Sequence, residues 1–200
     1  LTQIDNNYYN YHASQLHGQW LKEKSPSDLL PFMELLDKGD RVLDLGCGNG
    51  LDLAWMSKAG IEGMGIDSSS EMVAIAKTIH AQSGVQIQEK NFLFLSLEES
   101  SLDGVWANLS FCELPPEALQ RLLAICFKGV KVGGILGAVL LEGTGSFEEG
   151  MGGPHRKIHL YSEKAICSMF EQTGFQVKKI GRKQGVYDQF SNLLILAERI

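Results

Sequence analysis

No apolar run in this 200-residue chain approaches the roughly 18 residues that a membrane-spanning helix needs. The longest, Ile135 to Leu141, contains a glycine and reads as a buried strand. No basic block occurs either. With 18 Lys and Arg against 24 Asp and Glu the formal charge is −6, which argues against a general nucleic-acid binder. Cysteine is sparse: Cys47, Cys112, Cys126 and Cys167 form no C-x-x-C pair and no metal spacing. They are expected to be reduced core or loop thiols with no metal site, which points to the cytoplasm. Repeats and low-complexity tracts are absent. The length suits one well-buried α/β domain over 1–200 and is too short for two comfortable ones. Because the chain opens on Leu1 without a methionine, some sequence is expected to precede it.

What is present is organised around VLDLGCGNG, residues 42–50, and GMGID, residues 63–67. Val42, Leu43 and Leu45 suit a buried parallel strand. Gly46, Gly48 and Gly50 then allow a sharp turn and let a ligand lie against bare peptide. From Asp52 the pattern is helical until Gly60, and a second apolar segment, Ile61 to Ile66, ends at Asp67. Strand, glycine turn, helix, strand and terminal carboxylate describe a nucleotide-sized site, with an acid about 20 residues on to take the hydroxyls of a ribose. The glycine order is G-x-G-x-G, whereas a dinucleotide fingerprint is G-x-G-x-x-G. Asp44 would repel a pyrophosphate but suits an ammonium or a sulfonium.

Around this centre the elements alternate. Residues 1–24 are polar and aromatic, with Leu16 and Trp20 at helical spacing, and Tyr8 and Tyr9 as a possible aromatic roof for a cation. Pro26, Pro31 and the apolar residues from Leu29 to Leu36 predict a short helix ending at Gly39, so that 1–38 forms N-terminal cap helices ahead of a 40–141 core. A serine among Ser68 to Ser70 caps the next helix, Val85 to Gln88 is a short strand, and Asp103 to Asn108 a longer one. Pro115-Pro116 opens a helix, and Gly133-Gly134 turns the chain into Ile135–Leu141. The glycine-rich stretch 142–160 reads as an irregular lid loop. A helix from 163 and two antiparallel closing strands, Gln176–Ile180 and Leu193–Ala197, complete 161–200. The expected fold is a Rossmann-like, doubly wound seven-stranded sheet, mostly parallel with an antiparallel C-terminal strand and helices on both faces.

D-L-G-C-G-N-G resembles the first motif of class I S-adenosylmethionine (SAM) dependent methyltransferases. Over nearly the whole chain the sequence is similar to small bacterial methyltransferases of the type 11 and tellurite-resistance-like group. Tyr8-Tyr9-Asn10 with His12-Ala13, LDLGCG, Asp52, Asp67-Ser68, GVWAN with Ser110, Arg156 and Gly174-Phe175 carry the likeness. It implies SAM as cofactor and S-adenosylhomocysteine as product. By that likeness Asp67 holds the ribose, Ser68 sits beside the adenine, and Gly46, Cys47, Gly48 and Asn108 line the methionine half. Asn91 stands where the family has an aspartate facing the adenine amino group, with Phe92 beside it. Glu113 replaces a common histidine, and Leu51 an expected arginine.

No metal is demanded. If the acceptor is a hydroxyl or a protonated amine, a base is needed, and His12, Glu113 and His155 are the candidates. Segments 1–20 and 142–160 are expected to close over one pocket, with Arg156 either facing an anionic acceptor or paired with Glu148 or Glu149 at the surface. The resulting expectation is a cytoplasmic small-molecule methyltransferase, monomeric or homodimeric, without membrane or nucleic-acid partners. The alternative is a catalytically silent SAM-binding sensor or partner subunit. RNA or protein methylation is disfavoured because Asn108-Leu109-Ser110-Phe111 stands in place of N-P-P-Y.

Overall fold

A computed structural model describes residues 6–22, 27–185 and 187–200. Pro26 lies outside the described residues. Seven strands form the main sheet: β1 Arg41–Leu45, β2 Glu62–Asp67, β3 Gln86–Glu89, β4 Leu102–Asn108, β5 Val130–Leu141, β8 Phe175–Gln184 and β9 Ser191–Arg199. Their order is β3-β2-β1-β4-β5-β9-β8. β9 runs antiparallel to both β5 and β8, and the other pairings are parallel. The fold is therefore the Rossmann-like sheet expected, with its one reversed strand.

Alternation along the strands divides the core into two. Leu43, Leu45, Val105, Ala107 and Leu136 face α5 (Pro116–Gly129) and α6 (Glu163–Thr173). Val42, Trp106, Ile135 and Val139 face α2 (Leu30–Met33) and α3 (Leu51–Ala59), together with α4 (Ser70–Ile79). Leu119, Leu122 and Leu123 of α5 are each 2% exposed or less, so each contributes about 1.5–3 kcal/mol by leaving water. On the other face Phe32 packs on Trp106, ring centroids 5.0 Å apart, and both rings lie over Gly137. A Cβ at Gly137 would come within 2.7 Å of either ring, so only glycine lets them settle on β5.

Three local expectations need correction. Residues 142–160 are not an irregular loop, because β6 Ser146–Gly150 and β7 His155–His159 pair as an antiparallel hairpin. Alternate positions Phe147, Glu149, Arg156 and Ile158 turn inward, and Gly152 supplies the positive φ of the tip. Gly133-Gly134 does not precede a strand but lies inside β5. There the register on β4 jumps from Leu102–Val130 to Gly104–Ile135, an irregularity that glycine accommodates. The short helix around Pro31 is one turn, Leu30–Met33, and Leu35 is left 49% exposed. α1, Asn7–Trp20, packs on α4 through Tyr8, Ala13, Leu16 and Met72.

Candidate active site

The C-terminal ends of β1, β2 and β4 meet at one edge of the sheet, beneath α1 and the β6–β7 hairpin. A cavity of about 860 Å³ lies there, large enough for a nucleoside-sized ligand and a small second molecule. Its floor is the glycine turn. Gly46, Gly48 and Gly50 have φ of 73°, 51° and 75°, values that an L side chain resists. The amides of Gly46 and Cys47 donate to the Ile66 carbonyl at 2.8 and 3.1 Å, which ties the turn to β2. A Cβ at Gly46 would lie 2.6 Å from that of Ser110, and one at Gly48 would lie 2.8 Å from the Trp20 ring.

Three carboxylates stand at this edge. Asp67 accepts the Gly48 amide on Oδ2 at 2.9 Å and the Ser69 amide on Oδ1 at 2.8 Å. Ser69 caps α4 by accepting from the Met72 amide at 3.2 Å, so one short segment fixes turn, strand end and helix start. Asp52 accepts from Trp106 Nε1 at 2.7 Å and Asn108 Nδ2 at 3.0 Å. Asp44 is 2% exposed. Burial raises all three carboxyls, and Asp44 is raised further by Asp52 and Asp67. A cation in the cavity would relieve that strain.

The cover is one hydrogen-bonded cluster. Arg156, on β7, donates from Nε to Glu149 at 2.5 Å and from Nη1 to Glu113 at 2.7 Å. It also donates to Tyr9 and, at 3.1 Å, to Tyr187. Tyr8 donates to Glu149 at 3.0 Å and Tyr9 to Glu113 at 2.7 Å, while Tyr187 also donates to Glu149. Four separate segments are thereby joined over the pocket: α1, the 3₁₀ turn Ser110–Glu113 after β4, the hairpin and the β8–β9 connection. Burial pushes the Tyr8 phenol up to about 12, so the tyrosines stay neutral donors. Burial raises Glu113 despite Arg156, whereas Glu149, against the effect of its burial, is held low by bonds from Tyr187, Arg156 and Tyr8. The guanidinium lies 4.7 Å from the Tyr8 ring centroid and 5.0 Å from that of Tyr9. In this structure the cation against both tyrosines is Arg156 itself.

The structure brings most of the expected residues to the cavity: Tyr8, Tyr9, Asp44, Gly46, Cys47 and Gly48, then Asp52, Asp67, Ser68, Phe92, Asn108 and Ser110, with Glu113 and Arg156. Four do not reach it. His12 is 3% exposed, packed between Tyr8 and Tyr11 within α1. His155 sits at the exposed start of β7, its ring against Gly150. Gly50 faces His80 and Ile87. Asn91 spends its carbonyl oxygen capping the 3₁₀ turn Phe92–Phe94, accepting the Leu93 amide at 2.9 Å. Arg156 does pair with Glu149, as one expectation had it, but inside the cover, with its side chain only 16% exposed. Sequence reasoning missed Trp20, Trp55, Asp28, Glu149, Tyr187 and Asn192 as lining residues. The aromatic pair Tyr187 and Phe190 in a strand connection was a signal, since both rings pack on Phe147 of the hairpin.

Residues 42–134, which hold the glycine turn and all three carboxylates, match the family model of a methyltransferase domain. Over that stretch the chain is similar to methyltransferases. Among relatives of this chain, the ubiquinone biosynthesis O-methyltransferase of Pseudomonas fluorescens (strain SBW25) is 32% identical over 98 residues, 48% of this chain and 42% of that enzyme. The chain thus spans less than half the length of that curated relative. A SAM-dependent methyltransferase of Methanosarcina mazei superposes with a TM-score of 0.76 at 20% identity, over 84% of this chain and 96% of its own. The Burkholderia thailandensis 1,6-didemethyltoxoflavin-N1-methyltransferase, solved with 1,6-didemethyltoxoflavin and S-adenosylhomocysteine bound, has a TM-score of 0.70 at 16% identity. That match covers 100% of this chain and 91% of the other. At such identities the structures speak to the fold. Among the described residues no helix is long and apolar enough to cross a membrane.

Proposed function

We propose that this protein moves a methyl group from SAM to a small-molecule acceptor within the cavity under the Arg156 cluster. The observation that carries the reading is the pairing of a bare glycine turn with three carboxylates at the sheet edge, of which Asp44 is buried and raised by both Asp52 and Asp67. That combination fits a ligand with a ribose and a net positive charge. The buried Ser110 Oγ, without a partner among the described residues, adds an open hydrogen-bonding position on the same edge. Asp67 would hold the ribose, Ser68 and Phe92 would flank the adenine, and Asp44 with Gly46, Gly48 and Asn108 would take the methionine end. When bound, SAM supplies an electrophilic methyl whose bonding pair returns to sulfur as the acceptor's lone pair forms the new bond.

The chain's own residues have the remaining tasks. Tyr8, Tyr9, Arg156 and Glu149 cover one side of the pocket and limit the water that reaches the acid groups below. Glu113, raised by burial and lining the cavity, is the residue that takes a proton when the acceptor must lose one. The whole chain acts as one unit in the cytoplasm, as a monomer or homodimer and without nucleic acid. Incubation with methyl-labelled SAM and fractionated metabolites tests the reading. Label should reach a low-molecular-weight fraction, and Asp67→Ala should lower the transfer at least about tenfold, since a bond to a charged acceptor contributes about 1.5–3 kcal/mol. Transfer into RNA or protein alone would refute it.

A further inference from the structure

Six carboxylates line the cavity, Asp28, Asp44, Asp52, Asp67, Glu113 and Glu149, against two cations, Arg156 and Lys183. Both cations are already paired with carboxylates of the site. Every guanidinium nitrogen of Arg156 is engaged, Nε on Glu149, Nη1 on Glu113 and Tyr9, and Nη2 on Tyr187. Lys183 Nζ is held by Asp28 Oδ2 at 2.6 Å and Ser27 Oγ at 2.7 Å. An anionic acceptor that took Arg156 would have to strip Glu113 or Glu149 of its partner and leave that carboxylate largely buried and unpaired, which is strongly unfavourable. A second observation points the same way. Asn192, 5% exposed, lines the cavity beside Lys183, and its Oδ1 has no hydrogen-bond partner among the described residues. A buried carbonyl oxygen without a donor is costly, and it suits a ligand that brings one.

Resting on the methyl-transfer reading above, we propose that the acceptor is an amine that enters as its ammonium ion. Counted formally, the six carboxylates exceed the two cations by four, and SAM brings one net positive charge against that excess. The ammonium must lose a proton before nitrogen has a lone pair to offer, and Glu113 is placed to accept it. Tyr9 and Arg156 both donate to its Oε1, while Oε2 accepts no hydrogen bond among the described residues. One N–H bond breaks, an O–H bond forms on Oε2, and the nitrogen keeps the electron pair. Burial makes this carboxylate a stronger base than one at the surface.

Calorimetry on the protein saturated with S-adenosylhomocysteine tests this with matched triplets: benzylamine, benzyl alcohol and benzoate, then their phenethyl and n-alkyl homologues. At neutral pH the tightest amine should bind at least about tenfold more strongly than its carboxylate partner, the ratio that one charge-assisted contact supplies. Glu113→Gln keeps an oxygen for Tyr9 and Arg156 but removes the charge. It should weaken that amine about tenfold while changing the alcohol less than about twofold. Glu149→Gln, which stands in if the first variant fails to fold, should also narrow the amine preference. Carboxylates binding as tightly as amines would overturn the proposal, as would an amine preference unchanged in the folded variant. Failure of the broader reading looks different, because S-adenosylhomocysteine itself would then give no binding heat.

Discussion

Asp44 shows most sharply what this site costs the fold. It lies at the end of a buried strand, 2% exposed, with Asp52 and Asp67 close enough to push its carboxyl well above the usual range. A carboxyl whose folded pKa exceeds its unfolded value makes the folded state bind more protons, so stability falls as pH rises. The loss begins near the ordinary aspartate value of about 4 and continues up through the raised folded value. Asp44→Asn should therefore raise the melting temperature of the ligand-free protein at neutral pH. The expected rise is about 2–4 °C, the shift that about 1 kcal/mol produces in a chain of this size. The same variant should bind SAM more weakly, because the ligand's positive groups lose a charge to face. Scanning calorimetry across pH checks the first part. An unchanged or lower melting temperature at neutral pH, with wild-type SAM affinity, would show that Asp44 bears no such tension.

At the scale of elements, the hairpin and α1 are joined through the cluster centred on Arg156. Glu149 and Arg156 face each other across β6 and β7, and from that position Arg156 reaches Tyr9 of α1 and Glu113 below β4. Removing one partner of a buried ion pair generally costs about 3–5 kcal/mol, because the other charges stay behind. Arg156→Ala should therefore speed amide hydrogen exchange in α1 and in both hairpin strands together, and leave β1 and β4 protected. Faster exchange confined to β7 would show that the segments close independently. The glycine turn, β1, β2 and the terminal Asp67 were legible in the sequence because apolar runs and positive-φ glycines act locally. The hairpin was not. Its strands are half exposed, so Glu148, Glu149 and Arg156 looked like surface charge, and only the cross-strand register reveals a buried pair. Asn91 and His12 lie off the cavity for a related reason. Each has the right residue type for a ligand contact, yet a cap on the next turn engages one and helix packing the other.

For the whole molecule, the reversal of strand direction at β9 closes the sheet beyond β5, and it brings Lys183, Tyr187 and Asn192 round to the cavity. Resemblance along the chain anticipated that topology, while the contribution of these last residues to the pocket needed the folded arrangement. The sheet carries the site only if its layers stay close, and Gly137 is where they approach most tightly, beneath Phe32 and Trp106. Gly137→Ala adds one methyl group within 2.7 Å of both rings and should lower stability by about 1–3 kcal/mol in urea unfolding. A neutral result would mean that the rings yield without cost. Trp106 also donates to Asp52, so the same variant should weaken SAM binding modestly through the displaced carboxylate.

The central claim is that the acidic edge around the glycine turn is a SAM site, and a calorimetric titration tests it most directly. SAM, S-adenosylhomocysteine and NAD would each be added to the wild-type protein and to Asp67→Ala. The account predicts saturable 1:1 binding of SAM and of its demethylated product, no heat from NAD, and at least about tenfold weaker binding in the variant. Binding of NAD in preference to SAM, or unchanged affinity when Asp67 is removed, would contradict it.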